Sequence, residues 1–267
     1  MQHAADRKYA VVTGGSSGIG LEIAKQFAQN GFDVLIAAED AGIADAAREV
    51  EALGAAVEAL QVDLATPDGV EELARTIASR ARPVDALAIN AGVGVGGRFL
   101  ETPLEDELEL IDLNVRSTVH LAKRALPAMV ARGEGRVLIT SSIAALMAAP
   151  YEAVYGASKA FGKSFAASLR NELKDTGVTI TTLMPGPTDT NFFHRADMDD
   201  TEVGADDKKA DPAQVARQAF DALMGGKHEI IAGPLTTKFE GVMAKLSPEE
   251  VTAGRHAKMA EPGSASN

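Results

Sequence analysis

From Tyr9 to about Leu246, short β-rich runs alternate with longer stretches of helical period, and this alternation confines the chain to repeated βαβ units that build a parallel sheet. Seven strands are predicted, centred on YAVVT, DVLIAA, AVEALQV, VDALAIN, RVLITSS, VTITTLM and HEIIA. Most are nearly continuous apolar runs, as strands covered by helices on both faces should be. The helices between them carry their own punctuation. Gly31 and Gly54 stand where C-terminal caps belong, and Thr66-Pro67 and Asp211-Pro212 each offer an N-cap followed by proline at the first helical position. The expected architecture is α/β: a doubly wound, seven-stranded parallel sheet with helices on both faces, in one domain over 7–246.

A chain of 267 residues with 46% hydrophobic content can close one large core. Its net charge of −12 disfavours nucleic-acid or anionic-membrane partners. The absence of cysteine excludes disulfides, thiolate metal sites and cysteine nucleophiles. The opening MQHAADRKYAVV has no apolar signal core, and no run of about 18 apolar residues occurs, so a cytoplasmic protein is expected. His3, His120, His228 and His256 show no ligand spacing, so no metal is expected. Two stretches break the alternation. The polar, acidic segment Asn191 to Ala210 follows the sixth strand and reads as a substrate lid; residues 247–267 read as a poorly packed tail or a segment that docks on a neighbouring subunit.

Directly after the first strand comes TGGSSGIG, opening the amphipathic helix LEIAKQFAQN. Glycines there permit a tight turn and close backbone approach, so that helix N-terminal amides can face a pyrophosphate; this makes the domain Rossmann-type and marks Gly14, Ser16, Ser17, Gly18, Ile19 and Gly20 as cofactor-binding. A second G-x-G-x-x-G string, at Gly92, Gly94 and Gly97, is followed by Arg98, Phe99 and Pro103 rather than by a helix. It reads as a decoy: a mobile loop whose Asn90, Ala91 and Gly92 touch the cofactor. At the end of the second strand an acid can bind a ribose 2′-hydroxyl, whereas a base would hold a 2′-phosphate. Glu39 there, with Ser17 adding no cation, favours NAD over NADP, although Glu39 is equally readable as an exposed strand-end acid. After the third strand, Asp63 and Leu64 are candidates for the adenine end, with a turn or capping role as the alternative for Asp63.

Tyr155 and Lys159, four apart in YGASK, share one helical face. A phenol with a pKa of about 10 is a poor base near neutrality; a nearby ammonium favours the phenolate and makes tyrosine a usable proton donor and acceptor. Ser142, just after the fifth strand, stands where open parallel sheets place ligand-binding groups, and its hydroxyl can stabilise charge on a substrate oxygen. Ser141 competes for that role. Asn114 lies inside a long helical run where its propensity is unfavourable, which suits a specific polar task as well as a plain core contact.

TGGSSGIG, INAG, LNV, the Ser142 to Tyr155 spacing, YGASK and MPGPTDT together resemble the short-chain dehydrogenase/reductase family, in its compact subfamily, from Tyr9 to about Gly233. The resemblance implies that Tyr155 is the acid/base, that Lys159 lowers its pKa and binds the nicotinamide ribose, that Ser142 holds the reacting oxygen, and that Asn114 anchors a water relaying protons from Lys159. It also implies that Pro185, Gly186 and Thr190, with Thr188 in the same motif, contact the nicotinamide end. Two departures matter: Ala38 stands where NAD-preferring relatives usually carry Asp, and Glu39 where NADP-preferring relatives often carry Arg.

The substrate pocket is expected between the Val93 to Phe99 loop, the Ala144 to Tyr151 segment and the lid, lined by Met147, Phe192 and Phe193; this suits an uncharged, largely hydrophobic carbonyl or alcohol. His194 and Arg195 read as solvated or paired with neighbouring aspartates. The resemblance implies a homo-oligomer, tetramer or dimer, formed through the long helices flanking the fifth strand; a small-residue face of Ala157, Ala160, Ala166 and Ala167 is compatible with this. A non-catalytic dinucleotide-binding regulator is the rival reading, and it would not need Asn114, Ser142, Tyr155 and Lys159 together.

Overall fold

The computed structural model describes residues 7–80 and 82–266; His3 and Asn267 fall outside them. In chain order its elements are β1 (Lys8–Thr13), α1 (Gly18–Gln29), β2 (Phe32–Ala38), α2 (Ile43–Glu51), β3 (Val57–Gln61), α3 (Pro67–Ala78), β4 (Ala86–Ile89), α4 (Leu104–Ile111), a π-helical turn (Asp112–Arg116), α5 (Ser117–Arg132), β5 (Gly135–Thr140), a short 3₁₀ turn (Ile143–Leu146), α6 (Ala153–Glu172) and β6 (Val178–Pro185). They continue with α7 (Phe192–Arg195), α8 (Glu202–Ala205), α9 (Pro212–Met224), β7 (Glu229–Ala232), α10 (Leu235–Leu246) and α11 (Glu249–Ala260). The seven strands form one sheet in the order β3-β2-β1-β4-β5-β6-β7, with every pairing parallel.

Period-2 geometry explains why the strands read as unbroken apolar runs. In β1, Ala10 and Val12 join the core on one face with Phe27 of α1 and Phe220 of α9, whereas Tyr9 and Val11 join the opposite core with Leu73 of α3, Leu121 and Met129 of α5 and Ala166 of α6. In β2 all seven positions are buried. Its one acid, Asp33, is neutralised at the strand's N-terminal end by Arg7 at 2.9 Å and Arg82 at 2.8 Å and accepts the backbone N–H of Ala56. Thr66 and Asp211 both cap their helices as expected, accepting backbone N–H bonds from Gly69 and Ala213, with proline next in each case.

Three stretches carry more structure than their sequences suggest. Residues 191–210 are an ordered cover: Phe193 of α7, and Ala196, Met198 and Thr201 between α7 and α8, are buried. The Gly92 to Gly97 stretch is pinned to that cover, since the N–H of Gly96 donates to the Ala196 carbonyl at 2.8 Å and that of Gly97 to the Tyr151 carbonyl at 2.8 Å. Gly94 and Gly96 are small because a Cβ there would strike Phe192 and Met198. Third, the segment after Leu246 is helical and docks on its own chain. Thr252, His256 and Ala260 of α11 are buried, and the N–H groups of Gly263 and Ala265 bond to Asp200 in the cover. Among the described residues no helix is long and apolar enough to cross a membrane.

Candidate active site

Chain direction reverses between β1 and β4: from β1 the chain winds outward to β2 and β3, then returns to β4 and winds the other way. In such sheets a crevice opens beyond the carboxyl ends of the strands at that point. Here one cleft, partly open to solvent, runs from the glycine loop to α11. Of the residues expected to bind or act, Gly14, Ser16 to Gly20, Glu39, Leu64, Asn90 to Gly92, Ser142, Tyr155, Lys159, Pro185, Gly186, Thr188 and Thr190 all line it. Asn114 sits behind its wall. Asp63 is exposed and off the wall, and its Oδ1 accepts the N–H of Ala65, the turn role that was its alternative.

At the dinucleotide end, α1 opens on Ser17, whose side chain makes no cap, and no acid occupies the first turn, so the orphan amides there are left for a ligand. The loop is folded so tightly that a Cβ on Gly20 would lie 1.9 Å from the Gly14 carbonyl oxygen. Ser16 ties this loop to the end of β2, donating to Asp40 at 2.6 Å. Glu39 and Asp40 are faced across the cleft by Arg195 of the cover, at 3.5 and 3.9 Å. That pairing replaces the expected one with neighbouring aspartates; His194 does pair locally, with Asp199. An uncapped helix N-terminus facing a glycine turn, with polar groups at the strand ends, fits the pyrophosphate and ribose of a dinucleotide.

The other end is built from α6, the residues after β5 and the π-helical turn. Tyr155 and Lys159, one helical turn apart in α6, are both buried, with Lys159 Nζ 5.5 Å from the phenol ring centroid. Ser141 is committed elsewhere: it is almost fully buried and donates to the Lys159 carbonyl at 2.7 Å. Both serines line the cleft; Ser142 accepts the N–H of Ala144, and its hydroxyl is the one that hydrogen-bonds Tyr155. The extra residue of the π turn aims Asn114 at the β4 loop. Its Oδ1 accepts the N–H of Val93 at 3.0 Å, and its Nδ2 donates to the Val93 carbonyl at 2.9 Å and to Ser158 Oγ at 3.0 Å. A Cβ on Gly92 would lie 2.9 Å from both Asn114 Oδ1 and Lys159 Nζ, so glycine keeps the space between them open.

Electrostatics here depart from expectation. Burial pushes the Tyr155 phenol well above its usual range, the Glu152 carboxylate adds to that rise, and the Ser142 hydroxyl opposes it. Burial likewise pushes Lys159 down to about 8. The ammonium expected to lower the phenol pKa is thus itself disfavoured by the low dielectric, and in the protein alone the phenol stays protonated. Met147, Phe192 and Phe193 line the cleft as expected, and Phe192 packs on Tyr155 with ring centroids 5.2 Å apart. Two residues on this wall were missed, Glu152 and His256. An acid just ahead of a helix reads as an ordinary N-terminal charge, and His256 sits in a segment of weak apolar pattern.

Residues 8–201 match the family model described as short chain dehydrogenase. A 1-deoxy-11-beta-hydroxypentalenate dehydrogenase of Streptomyces exfoliatus is 37% identical over 74% of this chain and 75% of its own. A short-chain dehydrogenase from Sphingobium yanoikuyae, solved in complex with NADPH, superposes with a TM-score of 0.78 at 28% identity, covering 84% of this chain and 87% of that one. The fold of a relative from Burkholderia phymatum, solved with NAD, matches with a TM-score of 0.78 at 24% identity over 88% and 92% of the two chains. The chain belongs to the short-chain dehydrogenase/reductase family. It is an NAD(P)-dependent oxidoreductase of that family.

Holding Lys159 in low dielectric has a stability cost. Because its folded pKa lies below that of the unfolded chain, the unfolded state binds the proton more tightly, and the penalty is full below pH 8 and fades as pH rises toward 10.5. Replacing Lys159 with Met is therefore expected to stabilise the ligand-free protein at pH 7 by up to about 3 kcal/mol. The gain should vanish near pH 10.5. Urea denaturation of both proteins at the two pH values checks this, and a Met variant no more stable at pH 7 contradicts it.

Proposed function

We propose that the protein transfers a hydride between a nicotinamide dinucleotide and the carbonyl or alcohol carbon of an uncharged, largely apolar small molecule, with Tyr155 as general acid/base. The observation that carries this reading is convergence: Tyr155, Lys159 and Ser142 line the same cleft as the uncapped start of α1. When bound, the dinucleotide supplies the hydride donor or acceptor. In reduction, the buried, protonated phenol of Tyr155 delivers its proton to the substrate oxygen as the carbonyl carbon is reduced; in oxidation it takes that proton back. Ser142 holds the same oxygen and stabilises the charge that develops on it. Lys159, with no carboxylate partner among the described residues, would hold the ribose of a bound dinucleotide; across the gap beside Gly92 it meets Asn114 Oδ1, a route by which Tyr155 is reprotonated. A non-catalytic dinucleotide regulator has no use for this second half of the cleft.

Cofactor choice follows from charge. Glu39 and Asp40 place two carboxylates at the end of β2 against the single guanidinium of Arg195, so a ribose 2′-hydroxyl is accepted and a 2′-phosphate repelled. NAD is the preferred cofactor in this reading. The exposed Ala157, Ala160 and Ala167 of α6 leave a flat surface for close helix packing in a homotetramer, while Ala166 turns into the core.

Three outcomes are expected. Tyr155→Phe should lose turnover by about 10²-fold or more in a panel of aldehydes, ketones and alcohols while still binding dinucleotide; full activity removes Tyr155 from its role. In fluorescence titrations NADH should bind more tightly than NADPH, and Glu39→Arg should reverse that order; an unchanged order in the variant means that Glu39 does not discriminate. Light scattering at micromolar concentration should give four times the chain mass, and a monomer rules the tetramer out.

A further inference from the structure

The inner wall of the cleft carries a buried Glu–His hydrogen bond that the proposed chemistry does not use. Glu152, immediately before α6, and His256, midway along α11, meet at 3.0 Å between Oε2 and Nε2. Their side chains are only 6% and 10% exposed, and both residues line the cleft that holds Tyr155. The same cleft also carries the apolar side chains of Met147, Phe192, Met259 and Ala260. Among the described residues each is the other's only side-chain hydrogen-bond partner.

Burying such a pair costs desolvation that its mutual attraction hardly repays, so it is a poor stabilising device. A few polar groups in an apolar pocket, by contrast, are what orient a ligand. With Nε2–H of His256 donating to Oε2, Oε1 of Glu152 keeps acceptor capacity and Nδ1 of His256 is left for a second bond. Glu152 shares this cleft with Tyr155, and its charge adds to the rise of the phenol pKa.

We propose that Glu152 and His256 form the specificity-determining pair of the substrate pocket, taking a hydroxyl group carried by an otherwise apolar substrate and rejecting a carboxylate at the same position. A hydroxyl can donate to Glu152 and accept from or donate to His256. A substrate carboxylate would face the Glu152 charge in a low dielectric. The inference rests on the hydride-transfer reading for the identity of the site, and binding is measured separately from turnover so that the two can fail independently.

The test uses three ketones with one ring: cyclohexanone, 4-hydroxycyclohexanone and 4-oxocyclohexanecarboxylate. Each is examined with the full-length protein and saturating dinucleotide, by kcat/KM and by saturation-transfer NMR binding. The wild type should favour the hydroxyketone over the carboxylate, and Glu152→Gln, which keeps the side-chain size, should narrow that ratio about tenfold or more. His256→Gln should weaken the hydroxyketone more than the parent ketone. Ratios unchanged in both variants, or parallel losses for all three ketones, overturn the proposal. So does a wild type that binds none of them. Ketone binding without turnover removes the hydride-transfer reading instead, and the binding ratios still decide the role of the pair.

Discussion

Everything in this molecule depends on burying both faces of a parallel sheet. Apolar runs such as β2 cannot rest against water on either side, so helices must return over both faces, and the winding must change direction once, between β1 and β4. That single reversal leaves an opening between the helices of the two faces, beyond the carboxyl ends of the strands. The start of α1, the residues after β5 and those just after β2 all arrive at its rim because of strand order.

Most of the sheet and half of the site were legible because they repeat local rules. Strand runs, caps at Thr66 and Asp211 and the four-residue spacing of Tyr155 and Lys159 each announce themselves within a few residues. What escaped was long-range. Thr252, His256 and Ala260 form a buried stripe, but Thr, His and Ala make a faint apolar signal, and the surface they meet comes from residues 151–205. The rise of the Tyr155 pKa was likewise invisible, because spacing shows that a lysine is near and says nothing of how dry the place is. Gly94 and Gly97 read as a decoy in a mobile loop, and their spacing gave no sign that the stretch is pinned against the cover.

The cleft is thus closed by the chain's own later segments. Tyr151 donates to Glu261 at 3.1 Å, Asp200 accepts from Gly263, and Phe193 lies against Ala260, so the cover and α11 form one block over the substrate half. The nucleotide half is tied to that block mainly through the exposed contact of Arg195 with Glu39 and Asp40. Exposed ion pairs are weak, so dinucleotide entry can disturb this contact at small cost while the apolar seal stays in place.

The π turn at Asp112–Arg116 has a consequence for how this site can change over time. Each residue in a helix rotates whatever follows by about 100°. The added residue therefore sets two directions at once: Asn114 toward Val93 and Ser158, and the stripe of Leu121, Ala122 and Met129 in α5 toward the sheet. Losing one residue there would restore a regular helix but could not keep both aims. The bulge works as a phase lock between chemistry and core: a length change within it would turn one of the two away from its target.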